Sequence, residues 1–286
     1  MNETKENYIN FFSKRKKAFT FIIGNQKGGV GKTTNSYLIA YTLAKMGIKT
    51  LVCDLDPQAN STKTLLLTKS QNSDQVTTVN KTLMRGVQEK NLTDLPVKIL
   101  DNLYLLPSYI DFEDFSKYVY KSTKTEYEET HILEPLFEPL KEDFDVIILD
   151  VPPLSIEVTR NAVIFSDYVV ISLQTHDDAL SGAQEYIRNL VKLKMQYDLP
   201  IEVLGVIPML HDRRGSVDKL IIDSAKQNFG DELVFNTIVP QMARIKRFPI
   251  NGITDVDQFD QAVLTKYKDV TNEFLDKLID FEEGEE

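Results

Sequence analysis

The stretch FTFIIGNQKGGVGKTT at residues 19–34 decides the fold of this chain. It begins with an apolar run typical of a buried strand, and a glycine-rich turn follows. Glycines let backbone N–H groups approach a phosphate, and the N-terminus of a following helix attracts negative charge. Lys32 would neutralise the β and γ phosphates and Thr33 would ligate Mg²⁺. The predicted nucleotide-binding residues of this loop are Gly28, Gly29, Val30, Gly31, Lys32, Thr33 and Thr34.

Two residues beside the glycines depart from the general pattern G-x-x-x-x-G-K-[ST]. Gln26 stands where the first glycine is expected, and Lys27 adds a second lysine. The run KGGVGKTT at 27–34 resembles the deviant Walker A loop of the ParA/MinD family of ATPases. In that family the additional lysine reaches the nucleotide held by the partner subunit of an ATP-sandwich dimer. The resemblance assigns this role to Lys27, which joins Lys32 as a candidate catalytic residue.

Short apolar runs alternate with amphipathic segments up to about residue 240, which is typical of βαβ units. We predict an α/β fold with a single-domain, doubly wound, mostly parallel sheet flanked by helices, as in P-loop NTPases. The domain is expected over 19–286, after an N-terminal arm at 1–18. The polar segment 68–100 gives no assignment. Strands are predicted near 19–24, 49–54, 103–106, 144–149, 168–173, 201–207 and 234–239, and helices over 32–46, ending at Gly47, and 177–197.

Carboxylates follow two of the predicted strands. Asp54 and Asp56 are two residues apart, so strand alternation points both to the same side. Asp150 has the position of a Walker B aspartate, which would hold the magnesium through water. The run DLDPQ at 54–58 resembles the D-x-D-P-Q motif of the ParA family. The resemblance implies that Asp56 orients or activates the attacking water and that Asp54 lies near the metal. The candidate metal-site residues are therefore Thr33, Asp54 and Asp150, and the implied cofactors are ATP and Mg²⁺.

Later segments resemble further parts of the same family. The run VPP at 151–153 is similar to its D-x-P-P run, although LSI at 154–156 departs from the usual glycine-containing continuation. The runs GVIPM at 205–209, DRR at 212–214 and IVPQMAR at 238–244 resemble the strand and turns beside the adenine. The resemblance makes Pro240, Gln241 and Met242 candidate adenine contacts.

Composition limits the remaining function classes. A formal net charge of −10 argues against a surface that is basic everywhere, but local basic clusters remain. Cys53 is the single cysteine, so one chain offers no disulfide framework and no multi-cysteine zinc or iron–sulfur site. This cysteine usage suits a reducing cytoplasm. Because the apolar runs are too short to span a bilayer and no secretory signal opens the chain, we expect a cytoplasmic protein.

The C-terminal segment has apolar residues at spacings of three and four, from Phe259 to Phe281. Such a stripe indicates one long helix, which could pack on the sheet or target a membrane as in MinD proteins. The polar face carries Asp260, Asp269 and further carboxylates, whereas anionic lipid requires lysine and arginine. We therefore predict packing on the sheet and no membrane partner.

The basic residues include five candidates for DNA contact. Non-specific DNA binding needs lysines and arginines near the phosphates. The run KRKK at 14–17 is a second candidate patch or a solvated arm. The five DNA-binding candidates are Arg213, Arg214, Arg244, Lys246 and Arg247.

Together these motifs resemble a small ParA-type plasmid partition ATPase, including the Delta type of Gram-positive plasmids. The resemblance implies a bacterial, nucleoid-associated homodimer that binds non-specific DNA with ATP. It also implies hydrolysis stimulated by a centromere-binding partner, often of ribbon-helix-helix fold. Fewer than twenty residues precede the first strand, so we expect no helix-turn-helix domain. Two alternatives remain open: a MinD-like membrane-associated positioning ATPase, and a metabolic or redox enzyme that shares the loop.

Overall fold

The computed structural model describes residues 2–71, 79–153, 155–210 and 216–284. Seven strands form one sheet in the order β3-β4-β2-β5-β1-β6-β7, and all neighbours pair in parallel except β3 with β4. The predicted mostly parallel sheet is thus confirmed. The strands are β1 (Phe19–Gly24), β2 (Thr50–Asp54), β3 (Val97–Leu100), β4 (Leu103–Leu106), β5 (Val146–Asp150), β6 (Tyr168–Gln174) and β7 (Glu202–Met209).

Helices cover both faces of the sheet. The helices are α1 (Asn2–Ser13), α2 (Lys32–Lys45), α3 (Asn60–Gln71), α4 (Leu83–Glu89), α5 (Phe115–Ser122), α6 (Glu126–Thr130), α7 (Glu134–Asp143), α8 (Ile156–Ile164), α9 (Asp177–Tyr197), α10 (Ser216–Phe229), α11 (Phe248–Asn251) and α12 (Gln258–Gly284). Strand alternation divides the core in two: Phe21 and Ile23 face one cluster with α2 and α12, whereas Ile22 faces the other with α8 and α9. This is the doubly wound arrangement that the apolar strands predicted.

The predicted strand at 234–239 is wrong. Only two isolated parallel bridges form there, Val206 with Val234 and Met209 with Val239. Between them, the N–H groups of Asn236 and Thr237 donate to the Glu273 carboxylate (2.6 and 2.7 Å) instead of to a neighbouring strand. A side chain on α12 therefore interrupts the ladder that the apolar sequence favours.

One strand was missed. β3 lies in the segment 68–100, which the sequence left unassigned, and it pairs antiparallel with β4 at the edge of the sheet. The strand has only four residues, which are in turn partly buried, exposed, buried and partly buried. The hydrophobic periodicity was therefore too faint to predict it.

The apolar stripe of the C-terminal segment packs inward, as predicted. Val263, Tyr267 and Phe274 are fully buried, and the Phe274 ring lies 4.7 Å from the Phe21 ring of β1. Phe259 at the start of α12 is the exception, with 59% of its surface exposed. Of the helices that the structure describes, none is long and apolar enough to cross a membrane.

The first eighteen residues, predicted as an arm, include a helix that packs on the domain. Tyr8 and Phe12 of α1 are buried, and the Tyr8 hydroxyl donates to Asp276 of α12 (2.6 Å). Arg15 lies over the Phe19 ring at 3.5 Å and pairs with Glu282 (2.7 Å). The basic run at 14–17 is therefore partly neutralised by contacts within the chain.

Candidate nucleotide-binding site

The glycine-rich loop lies between the carboxyl end of β1 and the N-terminus of α2, at the sheet edge where α/β proteins bind ligands. Gly31 has φ of +92°, and a Cβ there would also clash with the sulfur of Met209 in β7. Glycine is therefore required at this position by both backbone conformation and space. The preceding carbonyl, that of Val30, accepts a hydrogen bond from the Ser172 hydroxyl of β6 (2.6 Å).

Asn25 braces the beginning of the loop. Its amide nitrogen donates to the carbonyls of Ser172 (2.9 Å) and Ala179 (3.2 Å), and its oxygen accepts from the N–H of Lys27 (2.9 Å). Gly182 of α9 allows this close approach, because a Cβ there would lie 2.8 Å from the Asn25 oxygen. The loop is thus held by β6 and α9 as well as by its own glycines.

The two lysines of the loop have different surroundings. Lys32 is 6% exposed, and its Nζ donates to the carbonyl of Lys27 (2.9 Å). Burial lowers the pKa of Lys32, while the nearby carboxylates of Asp150 and Asp56 act in the opposite direction. Lys27 instead points to the surface, where Nζ lies 3.2 Å from Asp178 of α9. One lysine is therefore turned toward the interior of the site and the other toward solvent.

Asp150 ends β5 directly beside the loop. It is 1% exposed, and its two oxygens accept from the hydroxyls of Thr33 (3.3 Å) and Ser61 (2.7 Å). Burial, as the largest cause, raises the pKa of Asp150 to about 6. The predicted pair of Thr33 and Asp150 is thus brought together across the sheet edge.

Asp54 lies next to Asp150, because β2 and β5 pair with these two residues in register. Its carboxylate accepts from the N–H and hydroxyl of Thr62 (both 2.8 Å) and from the N–H of Asp56 (3.1 Å). It is fully buried, and burial followed by the repulsion of Asp150 raises its pKa to about 8. Asp54 therefore ties the strand end to the start of α3, close to the predicted metal.

Asp56 occupies a more open position. It is only partly buried, and its Oδ1 accepts from the N–H of Gln58 (2.9 Å) in a local turn. It is nevertheless near enough to influence the charges of Lys32 and Asp150. Asp56 thus keeps an accessible carboxylate near Lys32, and its role in orienting the attacking water stays a prediction.

The buried carboxylate pair predicts that stability without metal falls as pH rises. Folding raises the pKa of Asp54 and Asp150. Between about pH 4 and pH 8 the folded state therefore holds protons that the unfolded state has already released. The contribution of these two protons to the free energy of unfolding is fully present below this pH window and is lost as the pH rises through it. Asp54→Asn removes one of the two titrations, so we expect a clearly smaller decline in the free energy of unfolding, because each unit of pKa shift corresponds to about 1.4 kcal/mol.

The measurement is urea unfolding with a chelator at several pH values across the window. Asp280→Asn on the exposed face of α12 is the matched control and should keep the decline of the unchanged protein. Equal declines for Asp54→Asn and the unchanged protein would contradict the assignment of the pH dependence to this pair.

The predicted adenine segment follows the second isolated bridge. Val239 donates its N–H to the carbonyl of Pro208 (2.9 Å) and accepts from Leu210 (2.9 Å), which fixes residues 240–242 beside the end of β7. Met209 of the same strand contacts Gly31 in the phosphate loop. Pro240, Gln241 and Met242 thus lie at the same sheet edge as the loop, and their contact with adenine stays a prediction.

The DNA-binding candidates divide into three groups. Arg213 and Arg214 lie outside the described residues. Arg244 pairs with Asp257 and Asp260, and 16% of its side chain is exposed, so its charge is largely neutralised. Lys246 and Arg247 are exposed on the same segment. Among the candidates that the structure describes, Lys246 and Arg247 have both the charge and the exposure that a phosphate contact needs.

The site fits a nucleotide with Mg²⁺. No group of three or more metal-binding side chains occurs among the described residues, but Mg²⁺ commonly uses one or two carboxylates together with substrate phosphates and water. Asp150 and Thr33 supply such a partial set, and the loop with Lys32 supplies the anion-binding half. Sequence reasoning missed the buried residues that support these groups, which are Asn25, Asn35, Ser61, Thr62, Ser172 and Tyr267.

These features define a P-loop nucleotide-binding protein. A protein-family model described as an AAA domain matches residues 19–203. The sporulation initiation inhibitor protein Soj of Bacillus subtilis is 31% identical over 233 residues, covering 80% of this chain and 87% of Soj. The chromosome partitioning protein ParA of Caulobacter vibrioides is 29% identical over 231 residues, covering 80% of this chain and 83% of that protein. The chain belongs to the ParA-type P-loop ATPases of this family.

Solved structures show the same fold. A putative plasmid partition protein from Borrelia burgdorferi bound to AMPPNP has a TM-score of 0.73 at 22% identity, covering 91% of this chain and all of that one. Cobyrinic acid a,c-diamide synthase from Mycobacterium smegmatis, with a bound ATP analogue and magnesium, has a TM-score of 0.72 at 23% identity. This second match covers 92% of this chain and 94% of the synthase. The fold is therefore shared by partition proteins and by a biosynthetic enzyme, and the fold alone does not choose between them.

Proposed function

We propose that this chain is an ATP-switched DNA partition ATPase. Two copies enclose ATP and Mg²⁺ between them, and the resulting dimer binds DNA without sequence preference. A centromere-binding partner protein stimulates hydrolysis and so releases the dimer from DNA. The proposal places the protein in the bacterial cytoplasm, associated with the nucleoid. The similarity to partitioning proteins supports this cycle over that of a biosynthetic enzyme.

The observation that carries the proposal is the contrast between the two loop lysines. Lys32 is buried and directed at the loop, as expected of a lysine that binds the nucleotide held by the same chain. Lys27 is 45% exposed in its side chain, and its pair with Asp178 is a surface ion pair. Such pairs contribute about 0–1 kcal/mol, so releasing Lys27 costs little. Lys27 is then available to reach a phosphate held by a second copy.

The remaining residues have complementary roles in this cycle. Thr33 and Asp150 would hold Mg²⁺, Asp54 would support that carboxylate edge, and Asp56 would orient the attacking water. The bound Mg²⁺ supplies charge neutralisation for phosphoryl transfer. Because phosphoryl transfer depends mainly on positioning and electrostatics, this chain needs no covalent nucleophile.

DNA is favoured over a membrane as the target. The apolar stripe of α12 is buried in the core and so is not presented to lipid. Lys246 and Arg247 offer exposed positive charge, and we include Arg213 and Arg214 among the proposed DNA contacts. Each neutralised phosphate should steepen the salt dependence of binding by about one unit in a log–log plot. We assign Arg244 to its two carboxylate partners instead of to DNA.

Lys27→Ala tests the proposal. We expect it to lower DNA affinity in ATP at least ~10-fold, because the dimer loses a charged contact across its interface. ATP binding by the single chain should change less, since Lys32 remains. The measurement combines DNA binding, in ATP, ADP and a non-hydrolysable analogue at two salt concentrations, with sedimentation to follow dimer formation.

Lys121→Ala is the matched control, because Lys121 is an exposed lysine on α5 outside the site. It should bind DNA like the unchanged protein. The proposal would be overturned if the unchanged protein bound DNA equally well in ATP and in ADP. It would also be overturned if the Lys27→Ala variant still dimerised and bound DNA in ATP. ATPase activity that requires a small acceptor and does not respond to DNA would favour a biosynthetic enzyme instead.

A further inference from the structure

Three hydrogen bonds connect the phosphate-binding loop to the C-terminal helix. The Tyr267 hydroxyl of α12 donates to the Asn35 side-chain oxygen of α2 (2.8 Å). The Asn35 amide nitrogen donates to the Ser172 hydroxyl of β6 (2.9 Å), which donates in turn to the Val30 carbonyl (2.6 Å). We call Tyr267, Asn35 and Ser172 the loop-bracing chain. All its donors point the same way, so each bond polarises the next.

The loop-bracing chain is completely removed from water. Tyr267, Asn35 and Ser172 are each 0% exposed, and Val30 is 1% exposed. Burial raises the pKa of Tyr267 well above its ordinary value, so the phenol keeps its proton and can donate. Burying these polar groups is costly unless each is paired, and apolar side chains would fill the same space without that requirement. The polarity of the three residues therefore needs a reason beyond packing.

The last hydrogen bond of the loop-bracing chain, from Ser172 to the Val30 carbonyl, supplies that reason. A peptide unit is planar and trans, so its carbonyl and the next N–H point in opposite directions. When Ser172 holds the Val30 carbonyl toward β6, the N–H of Gly31 must point away from β6. Gly31 has φ of +92°, a conformation from which a glycine departs easily when nothing restrains it. The bond from Ser172 is one restraint on the direction of this N–H.

Asn35 also connects the brace to the second contact of Gly31. Its amide nitrogen lies 3.4 Å from the sulfur of Met209, and that sulfur occupies the space where a Gly31 Cβ would stand. The same side chain therefore contacts both groups that confine the peptide between Val30 and Gly31. Tyr267 fixes the remaining end of the Asn35 amide, so its orientation is determined by the position of α12.

We propose that Tyr267, Asn35 and Ser172 are positioning residues for nucleotide binding, because they orient the peptide between Val30 and Gly31 so that its N–H faces the phosphates. The packing of α12 thereby acts on the nucleotide site through these three residues. This inference depends only on nucleotide binding by the loop. It does not depend on dimerisation, DNA or a partner protein.

Tyr267→Phe is the sharpest test, because it removes one hydroxyl from a buried ring and leaves its apolar contacts in place. We expect the dissociation constants of ATP and ADP to rise about fivefold, and about tenfold in Ser172→Ala, which breaks the bond to the loop directly. Turnover at saturating ATP should stay within about twofold, since the oriented N–H binds ground state and transition state alike. Ser172→Thr keeps the hydroxyl and should recover most of the affinity.

Tyr8→Phe is the matched control. This substitution also removes a phenol hydroxyl that donates a hydrogen bond at α12, in this case to Asp276. The Tyr8 hydroxyl is not part of the loop-bracing chain. Nucleotide affinity should remain that of the unchanged protein, even if the unfolding temperature falls. The proposal is overturned if folded Tyr267→Phe and Ser172→Ala bind ATP normally, or if Tyr8→Phe weakens binding as much as Tyr267→Phe. Calorimetric titration with nucleotide alone gives the answer whether or not the protein binds DNA.

Discussion

Asp56→Ala should bind ATP and DNA but hydrolyse ATP about 10²–10⁴-fold more slowly than the unchanged protein. The carboxylate is partly exposed beside Lys32 and Asp150, where it can orient a water molecule toward the γ phosphate. Its loss removes that orientation without removing a phosphate ligand. The variant should therefore accumulate as an ATP-bound dimer on DNA. Single-turnover hydrolysis, measured with DNA binding on the same preparation, tests this expectation.

The local turn at Asp56 needs a separate control, because its carboxylate also accepts from the N–H of Gln58. Asp56→Asn keeps an oxygen for that turn but loses the charge, so it should be nearly as slow as Asp56→Ala. Asn91→Ala removes an equivalent turn, in which Asn91 accepts from the N–H of Thr93 (2.9 Å), and should hydrolyse ATP normally. Normal hydrolysis by Asp56→Ala would show that another group orients the water.

Lys32→Ala should lose nearly all affinity for ATP. A lysine that bonds two phosphates makes charge-assisted hydrogen bonds of about 1.5–3 kcal/mol each, which together correspond to a factor of roughly 10²–10⁴ in the dissociation constant. Burial already disfavours the charged form of Lys32, so its ammonium group is poorly solvated before the nucleotide arrives. Nucleotide titration by calorimetry measures the loss, and ATP-dependent DNA binding should disappear with it.

Lys141→Ala is the matched control for this substitution. Lys141 is also a nearly buried lysine that donates to a backbone carbonyl, that of Phe165 (2.7 Å), but it lies outside the loop. This variant should unfold at a lower temperature and still bind ATP with normal affinity. An ATP affinity of Lys32→Ala within tenfold of the unchanged protein would contradict the role of Lys32 as the phosphate lysine.

The parts that sequence could predict are those encoded by local order. The loop at 27–34, the strand before it and the helix after it follow one another along the chain, so their pattern is readable directly. The carboxylates of Asp54 and Asp150 could be placed because parallel strands end at one edge of the sheet. The strand prediction at 234–239 was wrong for the opposite reason. Glu273 lies on a helix far along the chain, and its carboxylate accepts the hydrogen bonds that Asn236 and Thr237 would donate to a neighbouring strand.

The basic residues show the same limit. Arg244 and Lys246 are two positions apart and carry the same charge, so sequence treats them alike. In the folded chain Arg244 pairs with Asp257 and Asp260, whereas Lys246 is exposed. Local charge on a protein surface depends on which carboxylates the fold brings near, and a sequence pattern does not contain that information.

By itself, the sequence determined the class of this protein: the loop with Lys27 and Lys32, and the carboxylates that follow two strands. Only the tertiary structure decided how the loop is held and how buried its carboxylates are. Ser172 reaches the Val30 carbonyl across 142 positions of the chain, and Tyr267 reaches Asn35 across 232. Such contacts arise when strands and helices pack, so neither the direction of a loop N–H nor the raised pKa of Asp54 can be derived from neighbours in the chain.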